Sequence, residues 1–140
     1  MTKLYANAKL VRNFRIDVDD GESHAFCLDL SPPEGTGMGP SALELALMSY
    51  AGCYATIFVR TAKKMRLALN DLEVKSEAIK SQEAGTITEV DTEIIVRCDA
   101  PEDRIQRVHH VTVRNCPVGI LFEKANVNMR YNIKREKEQT

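Results

Sequence analysis

The chain has 140 residues, a hydrophobic fraction of 44% and a formal net charge of −1, the balance expected of one soluble globular domain, 1–140. Neither nucleic acid nor an anionic membrane surface is implied as a partner by such a charge. Residues 1–7, Met-Thr-Lys-Leu-Tyr-Ala-Asn, have no apolar core of signal-peptide length, so the expected location is the cytoplasm.

In chain order, a first strand is expected over Lys3 to Leu10. Phe14, Ile16 and Val18 then alternate with Arg15, Asp17 and Asp19, and the alternation resumes over His24 to Leu30 after the turn pair Asp20-Gly21. That pattern predicts a hairpin. Residues 31–40, rich in glycine and proline, read as a loop. Ser41 with Glu44 three residues on has the spacing of a capping box, and predicts a helix running to about Leu67. Its first half is apolar on almost every side, while Arg60 to Arg66 is basic and should meet solvent. The apolar run Leu45 to Val59 is shorter than the roughly 18 residues of a spanning helix, which favours a covered core helix over a membrane segment.

Two strands follow, one around Leu72 to Glu77 and a longer one over Thr86 to Cys98, separated by a turn at Ala84-Gly85. Pro101 should open a short helix at its first position, with Asp99 as cap. A further helix is expected from Pro117 to about Ala125, and a last strand through Val127, Met129, Tyr131 and Ile133. Strands, long helix, strands, helices and strand make an α+β fold. A single copy of this length has trouble covering a helix that is apolar all round, which points to a dimer wrapping two such helices.

Four cysteines without a secretory signal argue against a disulfide framework. Cys27, Cys53, Cys98 and Cys116 lie far apart and form no CxxC pair, and with His24 and the pair His109 and His110 a zinc site could only be assembled from distant residues, so neither metal nor cofactor is expected. Cys53, in mid-helix, reads by itself more readily as a small buried hydrophobe than as a nucleophile. Cys116 precedes Pro117 at a helix N-terminus, where unpaired N–H groups should lower a thiol pKa. Cys27 and Cys98 lie on strand patterns and read as structural, and Met48, Tyr50, Tyr54 and Phe58 as core. His109 and His110 read as polar surface. Glu44 serves its own cap or orients an arginine beside a thiolate. Arg15 and Arg12, the candidate arginines, otherwise lie on a solvated strand face.

Gly39-Pro-Ser-Ala-Leu-Glu-Leu-Ala-Leu-Met-Ser-Tyr-Ala-Gly-Cys53, Lys63-Lys-Met-Arg66 and Asn115-Cys-Pro-Val118, with Phe14-Arg15 before the first turn, resemble the osmotically inducible protein C / organic hydroperoxide resistance family. The resemblance extends over essentially the whole chain. It implies an OsmC-like intertwined homodimer, with two β-sheets wrapped around long central helices and active sites at the dimer interface. It also implies a thiol peroxidase acting on organic hydroperoxides and recycled by a small or protein dithiol. Cys53 would then be the peroxidatic thiol and Cys116 the resolving one, with Arg15 (or Arg12) and Glu44 activating the thiolate. The hydroperoxide-resistance members carry their glutamate ten residues before the first cysteine. Leu43 holds that position here and Glu44 follows it, a spacing closer to the broader OsmC-like subgroup.

Overall fold

The computed structural model describes residues 1–137. The chain divides into two compact units, Met1–Ala46 and the chain from Leu47 onward.

The first unit is built on an antiparallel meander of β1 (Asn7–Arg12), β2 (Arg15–Asp19) and β3 (Ala25–Leu28). Its register pairs Leu10 with Ile16 and Ile16 with Leu28. β1 begins later than its apolar pattern suggests, because its ladder with β2 starts only at Asn7 opposite Asp19. The β2–β3 turn forms where expected. Gly21 takes φ +79, a conformation glycine adopts without steric penalty, and its N–H donates to Asp19 Oδ1 at 2.8 Å. A Cβ at Gly21 would also strike the Tyr5 ring. β1 is exposed along its whole length.

Helix α1 (Ala42–Lys64) starts on the predicted capping box. The Ser41 N–H donates to Glu44 Oε1 at 3.0 Å, and the Glu44 N–H donates to Ser41 Oγ at 3.2 Å. Two of the helix's orphan donors are thereby satisfied.

The second unit holds the rest of α1 and a sheet of β4 (Asp71–Ser81), β5 (Thr86–Arg97) and β6 (Asn128–Glu136). β4 and β5 are an antiparallel hairpin with Gly85 at φ +70 in its turn. β6 runs parallel to β5, reached through a crossover carrying α2 (Glu102–Asn115) and α3 (Pro117–Lys124). Parallel pairing requires such a long connection. Along β5, Val90, Thr92, Ile94 and Val96 are buried while Asp91 is exposed, the period-two signature of a sheet with one covered face. The outer face carries matched charges, including Arg130 on Asp91 (2.5 Å) and Lys134 on Glu93 (3.1 Å).

α1 contributes Tyr50, Tyr54, Ile57, Phe58, Thr61 and Ala62 to the core, and Ile105 and Val108 come from α2. Arg60, Lys63 and Lys64 are exposed, as the charge pattern predicts. One expectation fails along α1. Met48 is half exposed rather than core. By length and composition the helix is apolar enough to cross a membrane, a test that the core helix of a soluble protein also passes, and 17% of its most apolar stretch is buried. The start of α2 departs as well. Pro101 is its N-cap rather than its first helical residue, and no side chain caps it.

Candidate functional site

α1 and the α2–α3 junction bring Cys53 and Cys116 together in the second unit. Cys116 is the N-cap of α3, and its sulfur accepts the Gly119 N–H at 3.4 Å. Cys53 is its hydrogen-bonding neighbour. Cys116 is buried and Cys53 half-buried, and all four cysteines are free thiols. Gly119 packs closely there, and a Cβ would sit 3.3 Å from the Cys116 sulfur and 3.4 Å from the Tyr50 ring.

The electrostatics of Cys116 reverse the sequence expectation. Its thiol pKa is raised to about 11. Burial is the main cause, and Cys53 adds to it through its hydrogen bond and its charge. The Gly119 and Val118 N–H groups pull the other way, as a helix N-terminus should, and are outweighed.

Around the thiols stands a wall of hydroxyls and rings that sequence reasoning had read only as core. Thr92 donates to the Tyr50 hydroxyl at 3.3 Å, Ser76 and Thr92 share a bond of 3.1 Å, and Tyr50 also meets the Tyr131 hydroxyl. Tyr50 stacks on Phe122 with centroids 5.4 Å apart. Tyr54, next to Cys53, hydrogen-bonds His109 Nδ1 at 2.5 Å, and Tyr131 meets the His109 ring edge-on at 5.0 Å. Burial raises both Tyr50 and Tyr54, so both stay protonated phenols. His109 is therefore not polar surface. It is buried, and desolvation, with the His110 charge second, lowers its pKa to about 4. His110, its neighbour, is exposed as expected. The available signal was the four-residue spacing of Tyr50 and Tyr54 on α1, which puts both on one helical face.

The other candidates lie in the first unit. Arg15 Nη2 donates to Thr36 Oγ1 at 3.1 Å, and the Glu44 carboxylate accepts from Ser41, whose N–H holds it below the usual carboxylate range. Arg12 is exposed. Cys27 is half-buried on β3 and Cys98 is buried just after β5. One cluster with metal-ligand chemistry was missed. Asp20, Glu22 and His24 hold their ligand atoms within 4.8 Å of one another at the β2–β3 turn. All three are exposed, and His24 Nδ1 already bonds Asp20 Oδ2 at 2.6 Å.

Solved structures share this architecture. The OsmC-like protein of Mycoplasma pneumoniae is 16% identical, with a TM-score of 0.84 over 99% of each chain. The organic hydroperoxide resistance protein OhrB of Bacillus subtilis is 19% identical, with a TM-score of 0.65 over 95% of this chain and 98% of that one. A putative organic hydroperoxide resistance protein of Vibrio cholerae, with captopril bound in one of its active sites, is 17% identical, with a TM-score of 0.67 over 96% and 92%. At these identities the likeness is one of fold. No curated protein matches the chain. The family model described as OsmC-like protein matches residues 35–132, a span that takes in both cysteines, and the chain belongs to the OsmC-like family.

Proposed function

We propose that this protein is a cysteine-dependent peroxidase that reduces organic hydroperoxides, working as a homodimer in oxidative or osmotic stress defence. The observation that carries the reading is the contact between two free thiols, Cys53 and Cys116, set in unequal surroundings. Disulfide chemistry needs that proximity, and a division of labour needs the inequality.

Cys53 is the more accessible thiol and attacks first. Its thiolate displaces alkoxide from the distal peroxide oxygen, and a proton completes the alcohol, leaving a sulfenic acid on Cys53. The Cys116 sulfur then attacks that sulfenic sulfur. A disulfide forms and hydroxide leaves, taking up the proton Cys116 gives up to become water. An external dithiol reduces the disulfide and is itself oxidised. A thiol held near pKa 11 is a poor first nucleophile, so the resolving role suits Cys116. Arg15 and Glu44 are proposed to assist the thiolate. The apolar side chains of Leu45 to Phe58 favour an organic hydroperoxide over hydrogen peroxide, because an apolar tail gains by leaving water. The dimer is supported by the unburied apolar length of α1 and by the exposed Leu4, Leu10, Val11 and Phe14 around β1.

The test is consumption of cumene hydroperoxide with a dithiol reductant. Cys53→Ser should abolish turnover, and Cys116→Ser should give about one turnover per site and stop at the sulfenic acid. A single-turnover burst that survived Cys53→Ser but not Cys116→Ser would exchange the roles. No turnover in the unmodified protein would favour the second reading, a non-enzymatic module that binds a small amphipathic or thiol-containing ligand. The captopril-bound Vibrio cholerae structure, a neighbour in fold, motivates that alternative, because captopril carries a thiol.

A further inference from the structure

Pairs along the chain fix how α1 and the turn after it meet α2. Arg104 Nη2 donates to the Met65 carbonyl at 2.6 Å, Tyr54 and His109 Nδ1 share a bond of 2.5 Å, and Cys53 is the hydrogen-bonding neighbour of Cys116. The partners fall along α1 as they rise along α2, so the two helices run antiparallel there. His109 and Cys116 stand seven positions apart, close to two helical turns, on the side of α2 that also carries the buried Ile105, Val108 and Thr112. Tyr54 directly follows Cys53. The Tyr54–His109 bond therefore lies in the same seam as the thiols, whereas the Arg104 tie lies at the far end of it.

That bond is braced on several sides. Tyr54 is 1% exposed and His109 7%. The Tyr131 ring packs on both, with its centroid 6.1 Å from Tyr54 and 5.0 Å from His109, and Phe58 stacks on Tyr54 at 6.0 Å. Burial keeps Tyr54 a protonated phenol and His109 a neutral imidazole at pH 7, so the pair needs no counter-ion. Apolar contacts alone let packed helices shift by about 1–2 Å. A shift of that size is comparable to the S–S bond itself, about 2 Å, and would strain or prevent a disulfide. A directional hydrogen bond between two braced rings removes that freedom.

We infer that Tyr54 and His109 are positioning residues for the thiol pair: their bond fixes the register of α1 against α2 and so holds Cys53 and Cys116 at disulfide-forming distance. This deepens the two-thiol reading proposed above and rests on it.

The test is the equilibrium of the full chain with glutathione. The Cys53 and Cys116 thiols plus one oxidised glutathione give the protein disulfide plus two reduced glutathiones, and the Cys53–Cys116 bridge is read by mass mapping after an acid quench. Tyr54→Phe should lower the constant about tenfold, a potential about 30 mV less negative. It also leaves His109 Nδ1 without its partner, so a second variant separates position from stability. Tyr54→Phe combined with His109→Phe replaces both polar partners by apolar rings, and should bring the urea midpoint back towards that of the unmodified protein while the constant stays low. Ile94→Val, a fully buried change in β5, should lower the midpoint and leave the constant within about twofold. The inference alone is overturned if Tyr54→Phe leaves the constant unchanged, if the double variant regains the constant along with the midpoint, or if Ile94→Val lowers the constant as much. Absence of a Cys53–Cys116 bridge in the unmodified protein would overturn it together with the two-thiol reading.

Discussion

In the second unit Tyr50, Phe58, Val90, Ile94, Ile105 and Val108 are wholly sealed from water, while in the first unit the one buried residue is a carboxylate, Asp29. The second unit is organised by apolar burial, each large side chain contributing about 1.5–3 kcal/mol. The first is organised by hydrogen bonds converging on one anion, and its apolar side chains at Leu4, Leu10 and Phe14 stay exposed. A buried core enforces one packing and sets the chemistry of whatever lies in it, as the raised Cys116 thiol and lowered His109 show. A polar hub shapes a loop and leaves the sheet beside it in need of cover.

Removing a core ring should produce the largest effect. Phe58→Ala should cost about 4 kcal/mol in denaturant unfolding, since Phe58 is fully buried. A loss under about 1 kcal/mol would mean that the second unit's packing is not what holds it.

The pH response comes next. The folded pKa of His109 is lowered to about 4, against about 6.5 unfolded. Between those values the unfolded chain binds more protons, so stability rises with pH in that window. Unfolding free energy should therefore fall by about 3 kcal/mol as pH drops from about 6.5 to about 4, and level off below. His109→Gln should remove that slope. An unchanged slope would place the acid sensitivity elsewhere.

Asp29→Ala should cost about 2 kcal/mol, because four donors lose their acceptor and those near the surface regain water. The loss should appear as faster amide exchange at Leu30, Thr36 and Met38. If those amides keep their protection, the polar hub does not organise the first unit.

The smallest effect on the fold of a single chain should come from Leu10→Lys. Leu10 is 62% exposed, so the change should stay within about 0.5 kcal/mol. If a second copy covers β1, as proposed, the same substitution should shift the monomer–dimer balance in sedimentation while the circular dichroism stays constant. An undisturbed dimer would take β1 out of the interface.

The Phe14–Val18 alternation, the Asp20-Gly21 turn, the Ser41–Glu44 cap and the Cys116-Pro117 helix start were legible in the sequence. Each is a rule between residues a few positions apart, so the chain specifies it locally. The tertiary structure decided the rest. β6 joins β5 in parallel, His109 leaves the surface for Tyr54, fifty-five positions away, and the Cys116 thiol rises where helix geometry alone would lower it. Burial and solvation depend on neighbours far away in sequence. At Cys116 the desolvation they impose is larger than the pull of one helix terminus, which sequence could identify but not weigh.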